Sequence, residues 1–207
     1  DAGERDLTSI ANDNDYVIEL KKSLELIFKL QTLNPIPIIA DKSFHYEKLM
    51  FEVDHTCSGY SRFKDTYKID ILITGEMYAF LQEASGFLAG FEDKVICHRD
   101  YHARNILLNA KGEQTIIDFQ DMMMGTPQYD LASLIYDAYR PLPLARREEL
   151  YTFFKSQSPH KGTRFREYYL TQALQRSFKA LGTYLVQFHD RKNPRFKESI
   201  SKALDNL

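Results

Sequence analysis

The segment CHRDYHARNILLN, residues Cys97–Asn109, decides the fold because it places many polar side chains among short apolar runs. Within it, Asn105 follows Asp100 by five positions, and a later apolar run, IIDF, carries Asp118. A Lys-Gly pair between the runs favours a tight turn. The sequence therefore predicts a β-hairpin over Ile106–Asp118, which returns Asp118 to the end of the hairpin where Asn105 lies.

These residue types suit phosphoryl transfer. An aspartate can accept or orient the proton of an acceptor hydroxyl, and an asparagine oxygen and a second carboxylate can hold Mg²⁺, which prefers oxygen ligands. Two other interpretations stay open. A buried polar network that caps two strands would also use Asp100 and Asn105. A metal hydrolase would use His98, Asp100 and His102, which an extended segment places on one face.

The order of residues resembles the kinase catalytic loop H-x-D-x-x-x-x-N, which is followed by a metal-binding aspartate. Two features differ from protein kinases. A histidine instead of a lysine occupies the second position after Asp100, and DFQ replaces DFG, with no room for a long activation segment before the next helix. The pattern is instead similar to the aminoglycoside phosphotransferase and choline kinase superfamily, which phosphorylates small molecules.

Four segments resemble, more narrowly, the bacterial cell-wall amino-sugar kinases, which phosphorylate N-acetylmuramate and N-acetylglucosamine. They are CHRDYHARNILL, IIDFQDMMMGTPQYDLASLIYDAY, QRSFKALGTY and HDRKNPRF. The resemblance implies ATP and Mg²⁺ as cofactors and a small-molecule acceptor as partner. The resemblance also implies an α+β fold class for this chain: the C-terminal lobe of a protein-kinase-like fold, mainly helical, with a short β-hairpin at the catalytic loop.

The resemblance also implies roles for individual residues. Asp100 is the expected catalytic base, and Asn105 and Asp118 are the expected Mg²⁺ ligands. His98 and Asp130 are expected to orient the loop, although Asp130 would equally suit a helix N-cap. Possible contacts to the acceptor or its phosphate come from four further residues: Glu52, Asp54, Arg104 and Asp121. Arg104 would also suit an ion pair with an acid.

Kinases of this type need an N-terminal lobe with a glycine-rich loop and a lysine that grips the phosphates of ATP. The glycines that precede the catalytic loop form no G-x-G-x-x-G pattern. We therefore expect residues 1–207 to be the C-terminal lobe, which carries the catalytic loop and the acceptor site. The ATP-gripping lobe would lie outside this chain, and the fragment alone would be inactive.

The remaining sequence predicts a helical body. Apolar residues at helical spacing predict helices over these ranges: 15–33, 46–53, 69–90, 129–139, 144–155, 165–189 and 195–207. Two prolines in NPIPIIAD interrupt the pattern after the first helix. Polar, glycine and proline clusters predict loops over 34–42, 55–68 and 156–164.

Composition excludes several classes of protein. The chain has 207 residues, of which 43% are hydrophobic and 27% are charged, with a net charge of −2. Such a balance does not attract nucleic acid or membrane surfaces. Two cysteines 40 residues apart, Cys57 and Cys97, form no disulfide framework, so we expect a reduced, cytoplasmic setting.

Other functions fit the same residues. The acceptor could be an aminoglycoside, choline or homoserine instead of an amino sugar. The chain could also be a non-catalytic binding module built on a kinase lobe, although such a module has no need to keep Asp100, Asn105 and Asp118 together.

Overall fold

The computed structural model describes residues 5–67, 73–160, 162 and 164–207. Within those ranges the helices are α1 Asp13–Gln31, α2 Pro37–Ala40, α3 Tyr46–Tyr67, α4 Gly75–Ala89, α5 Tyr129–Ile135, α6 Leu144–Gln157, α7 Phe165–His189 and α8 Lys197–Leu204. The strands are β1 Arg5–Asp6, β2 Val95–Cys97, β3 Ile106–Leu108, β4 Gln114–Ile116 and β5 Met123–Gly125. The α+β, mainly helical architecture predicted from the sequence is confirmed.

The predicted hairpin forms the centre of one small sheet. Strands β3 and β4 pair in antiparallel register, with Ile106 opposite Ile116, and β1 adds to the free side of β3. In the turn, the Asn109 side chain accepts hydrogen bonds from the amides of Lys111 and Glu113, both at 2.9 Å. Gly112 has a φ of 76°, a left-handed conformation that glycine adopts without steric cost. The turn chemistry therefore fixes the register that places Asp118.

A second sheet, which the sequence did not predict, holds the start of the catalytic loop. Strand β2 pairs with β5 in antiparallel register, with Cys97 opposite Met123. A Cβ atom at Gly125 would lie 2.7 Å from a ring carbon of Phe44 and 3.0 Å from Cys97 Sγ. Only glycine lets the strands and the Phe44 ring approach this closely, which fixes the exit of β2 into the loop.

The predicted loop over residues 55–68 is wrong, because α3 continues to Tyr67. Val53, Tyr60 and Phe63 follow one another at helical spacing and are at most 5% exposed. Tyr60 and Phe63 cluster with α7 and α8, and Val53 clusters with α4 and α7, so burial of this stripe outweighs the polar residues between them. The chain break at NPIPIIAD also holds a short helix, α2, because proline is tolerated at the first helical position.

Other helix boundaries differ by a few residues. Residues 68–72, at the start of the predicted helix over 69–90, lie outside the described residues; α4 itself begins after Thr74, whose hydroxyl accepts a hydrogen bond from the Met77 amide. Helix α5 ends four residues earlier than predicted. There Asp137 accepts a hydrogen bond of 2.7 Å from the Tyr139 amide, which turns the chain out of the helix.

The main hydrophobic core joins α1, the catalytic loop, the hairpin, α5, α6 and the start of α7. A second cluster packs α3 against α7 and α8. The catalytic loop is thus anchored between rigid helices. None of the helices within the described ranges has the length and apolar character needed to cross a bilayer.

Candidate active site

The catalytic loop leaves β2 through a strained backbone. Arg99 has a φ of 75°, and Asp118, at the far end of the hairpin, has a φ of 63°. Non-glycine residues rarely adopt this left-handed conformation, and where they do the surrounding structure holds them in it. Arg99 directly precedes Asp100, and Asp118 is itself one of the carboxylates that the sequence predicted to be functional.

Asp130 holds the strained turn. Its carboxylate accepts hydrogen bonds from the amides of His98 at 2.7 Å and Arg99 at 3.0 Å. Burial raises the pKa of Asp130, whereas the charge of His98 and the two amide bonds act in the opposite direction. The N-cap of α5 is Gln128, so Asp130 is not the cap residue. These contacts tie Asp130 to the backbone of the loop, and its loop-orienting role stays a prediction.

Asp137 forms a second anchor, which the sequence analysis missed. This buried carboxylate accepts a hydrogen bond of 2.9 Å from the Ala103 amide. Its other oxygen accepts from the Tyr139 amide. Burial raises the pKa of Asp137. The signal in the sequence was an acid inside the apolar run LIYDAY, because buried acids persist only where donors satisfy them.

Asn105 lies directly beside Asp100. The Asn105 amide nitrogen donates to the Asp100 carbonyl at 2.9 Å and to its Oδ2 at 3.1 Å. That orientation points the amide oxygen, Oδ1, away from Asp100. Within the described residues, Asn105 Oδ1 accepts no hydrogen bond, so it has the capacity to bind a cation.

Asp118 returns to the same end of the hairpin. The Ile117 amide donates to the Asn105 carbonyl at 3.0 Å, so Asp118 is one residue beyond a direct contact with the loop. The Asp118 side chain is exposed and has no hydrogen-bond or ion-pair partner among the described residues. Two hard oxygen donors with unused lone pairs fit Mg²⁺, which typically takes one or two protein ligands and fills the rest with phosphates and water.

Asp100 is an exposed carboxylate among cations. Its side chain is 48% exposed, and its oxygens lie 3.4 Å from His102 Nε2 and 3.5 Å from Arg176 Nη2. Burial acts to raise the pKa of Asp100, but the His102 hydrogen bond and the charges of His102, Arg176 and Lys179 lower it well below its ordinary range. Asp100 is therefore ionised at neutral pH and ready to accept a hydrogen bond from an acceptor hydroxyl.

The segment that carries these site residues resembles a known protein family. Residues 79–168, which contain Asp100, Asn105, Asp118, Asp130 and Asp137, match the family described as "Phosphotransferase enzyme family". This segment of the chain is therefore similar to members of that family. The segment includes both anchors of the catalytic loop as well as the loop itself.

Two proteins similar to parts of this chain carry the name N-acetylmuramate/N-acetylglucosamine kinase. The protein from Pseudomonas putida is 30% identical over 112 residues, which cover 51% of this chain and 33% of that protein. The protein from Neisseria meningitidis is 44% identical over 48 residues, which cover 23% of this chain and 14% of that protein. The matched segment thus spans about a third, or less, of these relatives.

Solved structures show the same fold. A choline/ethanolamine kinase family protein from Mesorhizobium loti gives a TM-score of 0.59 at 15% identity, covering 91% of this chain and 62% of that one. The gentamicin-APH(2″)-IIa complex also gives 0.59, at 14% identity, covering 98% of this chain and 67% of that one. The chain therefore has a protein-kinase-like fold, and it spans about two thirds of these structures.

A buried ion pair fixes the arginine of the catalytic loop. Glu52, on α3, is 5% exposed and accepts from Arg99 Nη2 at 3.0 Å; it also lies 3.5 Å from Lys48 Nζ. Its other oxygen accepts from Gln175 Nε2 at 2.9 Å. Despite burial, which raises it, the pKa of Glu52 is lowered by the charge of Lys179, by the Gln175 bond and by Arg99. These contacts suit an anchor for Arg99 better than direct contact with a sugar hydroxyl. The predicted role of Glu52 in substrate binding stays a prediction.

The other residues predicted to bind substrate are exposed at the surface. The Asp54 carboxylate accepts a hydrogen bond of 2.7 Å from Tyr78. Arg104 stacks on the Tyr139 ring, with its guanidinium carbon 3.9 Å from the ring centre, instead of pairing with an acid. The Asp121 side chain is exposed, and its carbonyl accepts from Arg99 at 3.3 Å. Their roles in binding stay predictions.

The metal-hydrolase interpretation has no support from the arrangement of the histidines. His98 is fully buried against Tyr101, and neither ring nitrogen has a hydrogen-bond partner in the part of the chain that the structure describes. Among the described residues, no group of three or more histidine, cysteine, aspartate and glutamate side chains could hold a metal ion. His102 instead supports Asp100 directly.

Helix α7 supplies two site residues that the sequence analysis did not single out. Arg176 donates from Nε to Ser133 at 3.1 Å and reaches Asp100 with Nη2. Lys179 lies one turn further along, where its ammonium donates to the Tyr129 hydroxyl at 3.4 Å. Both line a cleft of about 210 Å³ that Asp100 also faces. Their only signal was the segment QRSFKALGTY, since their partners lie far away in sequence.

Proposed function

We propose that this chain acts as the C-terminal lobe of an ATP-dependent phosphotransferase that transfers the γ-phosphoryl group to a hydroxyl of an amino sugar. One observation carries the proposal. Asn105 contacts Asp100, which lines the cleft, and the backbone just before Asp118 pairs with Asn105, so the three residues lie at the same end of the hairpin.

The residues divide the work between them. Asp100 orients the acceptor hydroxyl and accepts its proton as the new bond to the γ-phosphorus forms, while the bond from that phosphorus to the bridging oxygen breaks and ADP leaves. Asn105 and Asp118 would hold Mg²⁺, which when bound neutralises charge on the phosphates. Asp130 and Asp137 keep the loop in its strained conformation throughout.

The choice of an amino sugar is supported by the names of the relatives from Pseudomonas putida and Neisseria meningitidis. ATP is supported by solved neighbours in complex with ADP and AMP. We also propose that nucleotide is gripped by a lobe outside residues 1–207, since the chain holds no glycine-rich phosphate loop. Residues 1–207 alone should then show no measurable turnover.

An acceptor panel tests the proposal. The whole protein that contains this chain is given ATP, Mg²⁺ and one acceptor at a time, and kcat/KM is measured by coupled detection of ADP. N-acetylmuramate and N-acetylglucosamine should exceed choline, homoserine and kanamycin. A higher kcat/KM for choline or kanamycin would overturn the choice of acceptor, and no ATP-dependent phosphorylation of any of them would overturn the proposal itself.

A further inference from the structure

The cleft beside Asp100 is unusual in its charge. Its described lining contains one acid, Asp100, facing the cations Arg176 and Lys179 and the imidazole of His102. Aromatic and small polar residues complete the walls: Tyr139, Tyr184, Phe196, Thr183 and Gln187. A cleft of this kind repels cationic acceptors such as choline and aminoglycosides, because like charges at short range are costly where water is scarce.

Lys179 lacks an anion of its own. Its ammonium makes one hydrogen bond, to Tyr129, and so keeps two N–H donors unused within the described residues. The nearest acid on α3, Glu52, is already bonded to Arg99 and Gln175. Asp100 is shared with Arg176 and His102. Each acid near Lys179 therefore has a closer partner.

The protonation of Lys179 reflects this shortage of negative charge. Burial and the charges of Arg176 and Arg99 lower the pKa of Lys179 to about 7, against the opposing effect of Glu52 and Asp100. An anion bound in the cleft would reverse this effect by pairing with the ammonium. A ligand that brings a carboxylate to Lys179 should therefore bind together with a proton.

We propose that Lys179, with Arg176 beside it, forms a carboxylate subsite that selects acceptors with an acidic substituent near the reacting hydroxyl. The inference rests on the proposed function and names its preferred acceptor class, a carboxylated amino sugar over a neutral one. N-acetylmuramate, with a lactyl carboxylate, belongs to that class, whereas N-acetylglucosamine is the neutral ring without it.

The phosphoryl group in transfer is another anion that Arg176 and Lys179 could bind, and it must be distinguished from a carboxylate of the acceptor. Arg176 and Lys179 lie close enough to Asp100 to touch the phosphoryl group in transfer instead of the acceptor. A carboxylate subsite acts when the acceptor binds without nucleotide and only for acidic acceptors. A phosphoryl contact acts on kcat, and equally for every acceptor.

The first experiment measures acceptor binding by calorimetry with the whole protein and no nucleotide. The ligands are N-acetylmuramate, its methyl ester, N-acetylglucosamine and glucosamine, which carry negative, neutral, neutral and positive charge. The ester keeps the lactyl group and loses only the charge. We expect N-acetylmuramate to bind about tenfold more tightly than its ester, the effect of one charge-assisted hydrogen bond, and glucosamine to bind most weakly.

The same titrations in HEPES and Tris near pH 7.5 report protons taken up on binding, since the buffers differ in ionisation enthalpy. N-acetylmuramate should take up a fraction of a proton and the ester none. This measurement needs no variant, so it stays decisive if substitution of Lys179 impairs folding. Equal affinity for acid and ester overturns the inference.

The second experiment uses Lys179→Gln, with Lys155→Gln on the exposed face of α6 as the matched control. Lys179→Gln should reduce the preference for acid over ester, measured as the ratio of kcat/KM values, by about tenfold. Lys155→Gln should leave the ratio unchanged. A uniform fall in kcat for both acceptors, with the ratio kept, would assign Lys179 to the phosphoryl group and overturn the subsite.

The two proposals fail in different ways. Phosphorylation of N-acetylglucosamine without any preference for a carboxylate would remove the subsite and leave the amino-sugar kinase intact. Absence of binding and of phosphorylation for every amino sugar would remove the proposed function and the subsite with it.

Discussion

Replacing Asp130 by asparagine should release the catalytic loop while leaving the shape of the side chain almost unchanged. Asp130 accepts from the His98 and Arg99 amides, at 2.7 and 3.0 Å. Asparagine keeps one acceptor oxygen and presents an NH₂ group where the other stood. At least one of the two amides then faces a donor and loses its partner.

The size of the effect follows from those two bonds. A buried donor left without a partner costs about 1–3 kcal/mol. That cost corresponds to a rise of about 5- to 150-fold in the opening equilibrium of the affected amide. The strain at Arg99, with its φ of 75°, adds to the tendency to open. Because Asp100 follows directly, a shift of about 1 Å should also lower kcat by about 10²-fold.

Hydrogen exchange of the backbone amides, measured by NMR on the whole protein, tests whether Asp130 holds the loop closed. Asp130→Asn should speed exchange at His98 or Arg99, and Asp137→Asn is the matched control because it removes the same chemistry from the Ala103 amide. The control should speed exchange at Ala103 and leave His98 and Arg99 protected. Unchanged exchange at both amides in Asp130→Asn, with normal kcat, would refute the anchoring role of Asp130.

Three further predictions concern packing and charge. Glu52→Gln removes the charge that pairs with the buried Arg99 guanidinium and should lower the free energy of unfolding in urea by up to about 3 kcal/mol. Gly182→Ala places a Cβ atom 2.9 Å from the α3 backbone and should lower the free energy of unfolding by about 1–3 kcal/mol. Gly86→Ala, where the new Cβ meets open space, should raise it by about 0.5–1 kcal/mol. Equal effects of the two substitutions would contradict a close approach of α3 and α7 at Gly182. The pKa of Lys179 is about 7, so a rise in pH removes its positive charge. KM for N-acetylmuramate should therefore increase between about pH 7 and 9, whereas KM for its methyl ester should not. The same dependence of KM on pH for both acceptors would contradict a role of the Lys179 charge.

The catalytic loop and hairpin could be predicted from the sequence because their signals are local. Asp100 and Asn105 are five residues apart, and a turn with a glycine returns the chain to Asp118. These contacts depend on spacing and turn chemistry, which short segments determine.

The surroundings of the loop could not be predicted in the same way. Arg176 contacts Asp100 across 76 residues of sequence, and Glu52 meets Gln175 across 123. Nothing in a local pattern distinguishes an acid that is buried and paired from one that faces a sugar. Glu52 was therefore predicted to bind substrate, although its carboxylate lies in a buried network.

The segment 55–68, which was predicted to be a loop, shows a related difficulty. Polar residues dominate the sequence of that segment, and the buried stripe through Tyr60 and Phe63 is sparse. Its helical structure depends on α7, whose Gly182 allows close approach to α3. Packing between distant segments thus decided the structure where the local preference was weak.

The central claim is that Asp100 serves the acceptor hydroxyl while Asp118 binds Mg²⁺. The most direct measurement is kcat of the whole protein as a function of Mg²⁺ concentration for Asp100→Asn and Asp118→Asn, with the affinity for Mg·ATP measured by calorimetry. Asp100→Asn should bind Mg·ATP normally and lose about 10²–10⁴-fold in kcat, the usual scale for a positioned base, at every Mg²⁺ concentration. Asp118→Asn should require more Mg²⁺ and recover part of its activity when Mg²⁺ is raised. Near-normal turnover of Asp100→Asn, or rescue of Asp100→Asn but not Asp118→Asn by Mg²⁺, would contradict the account.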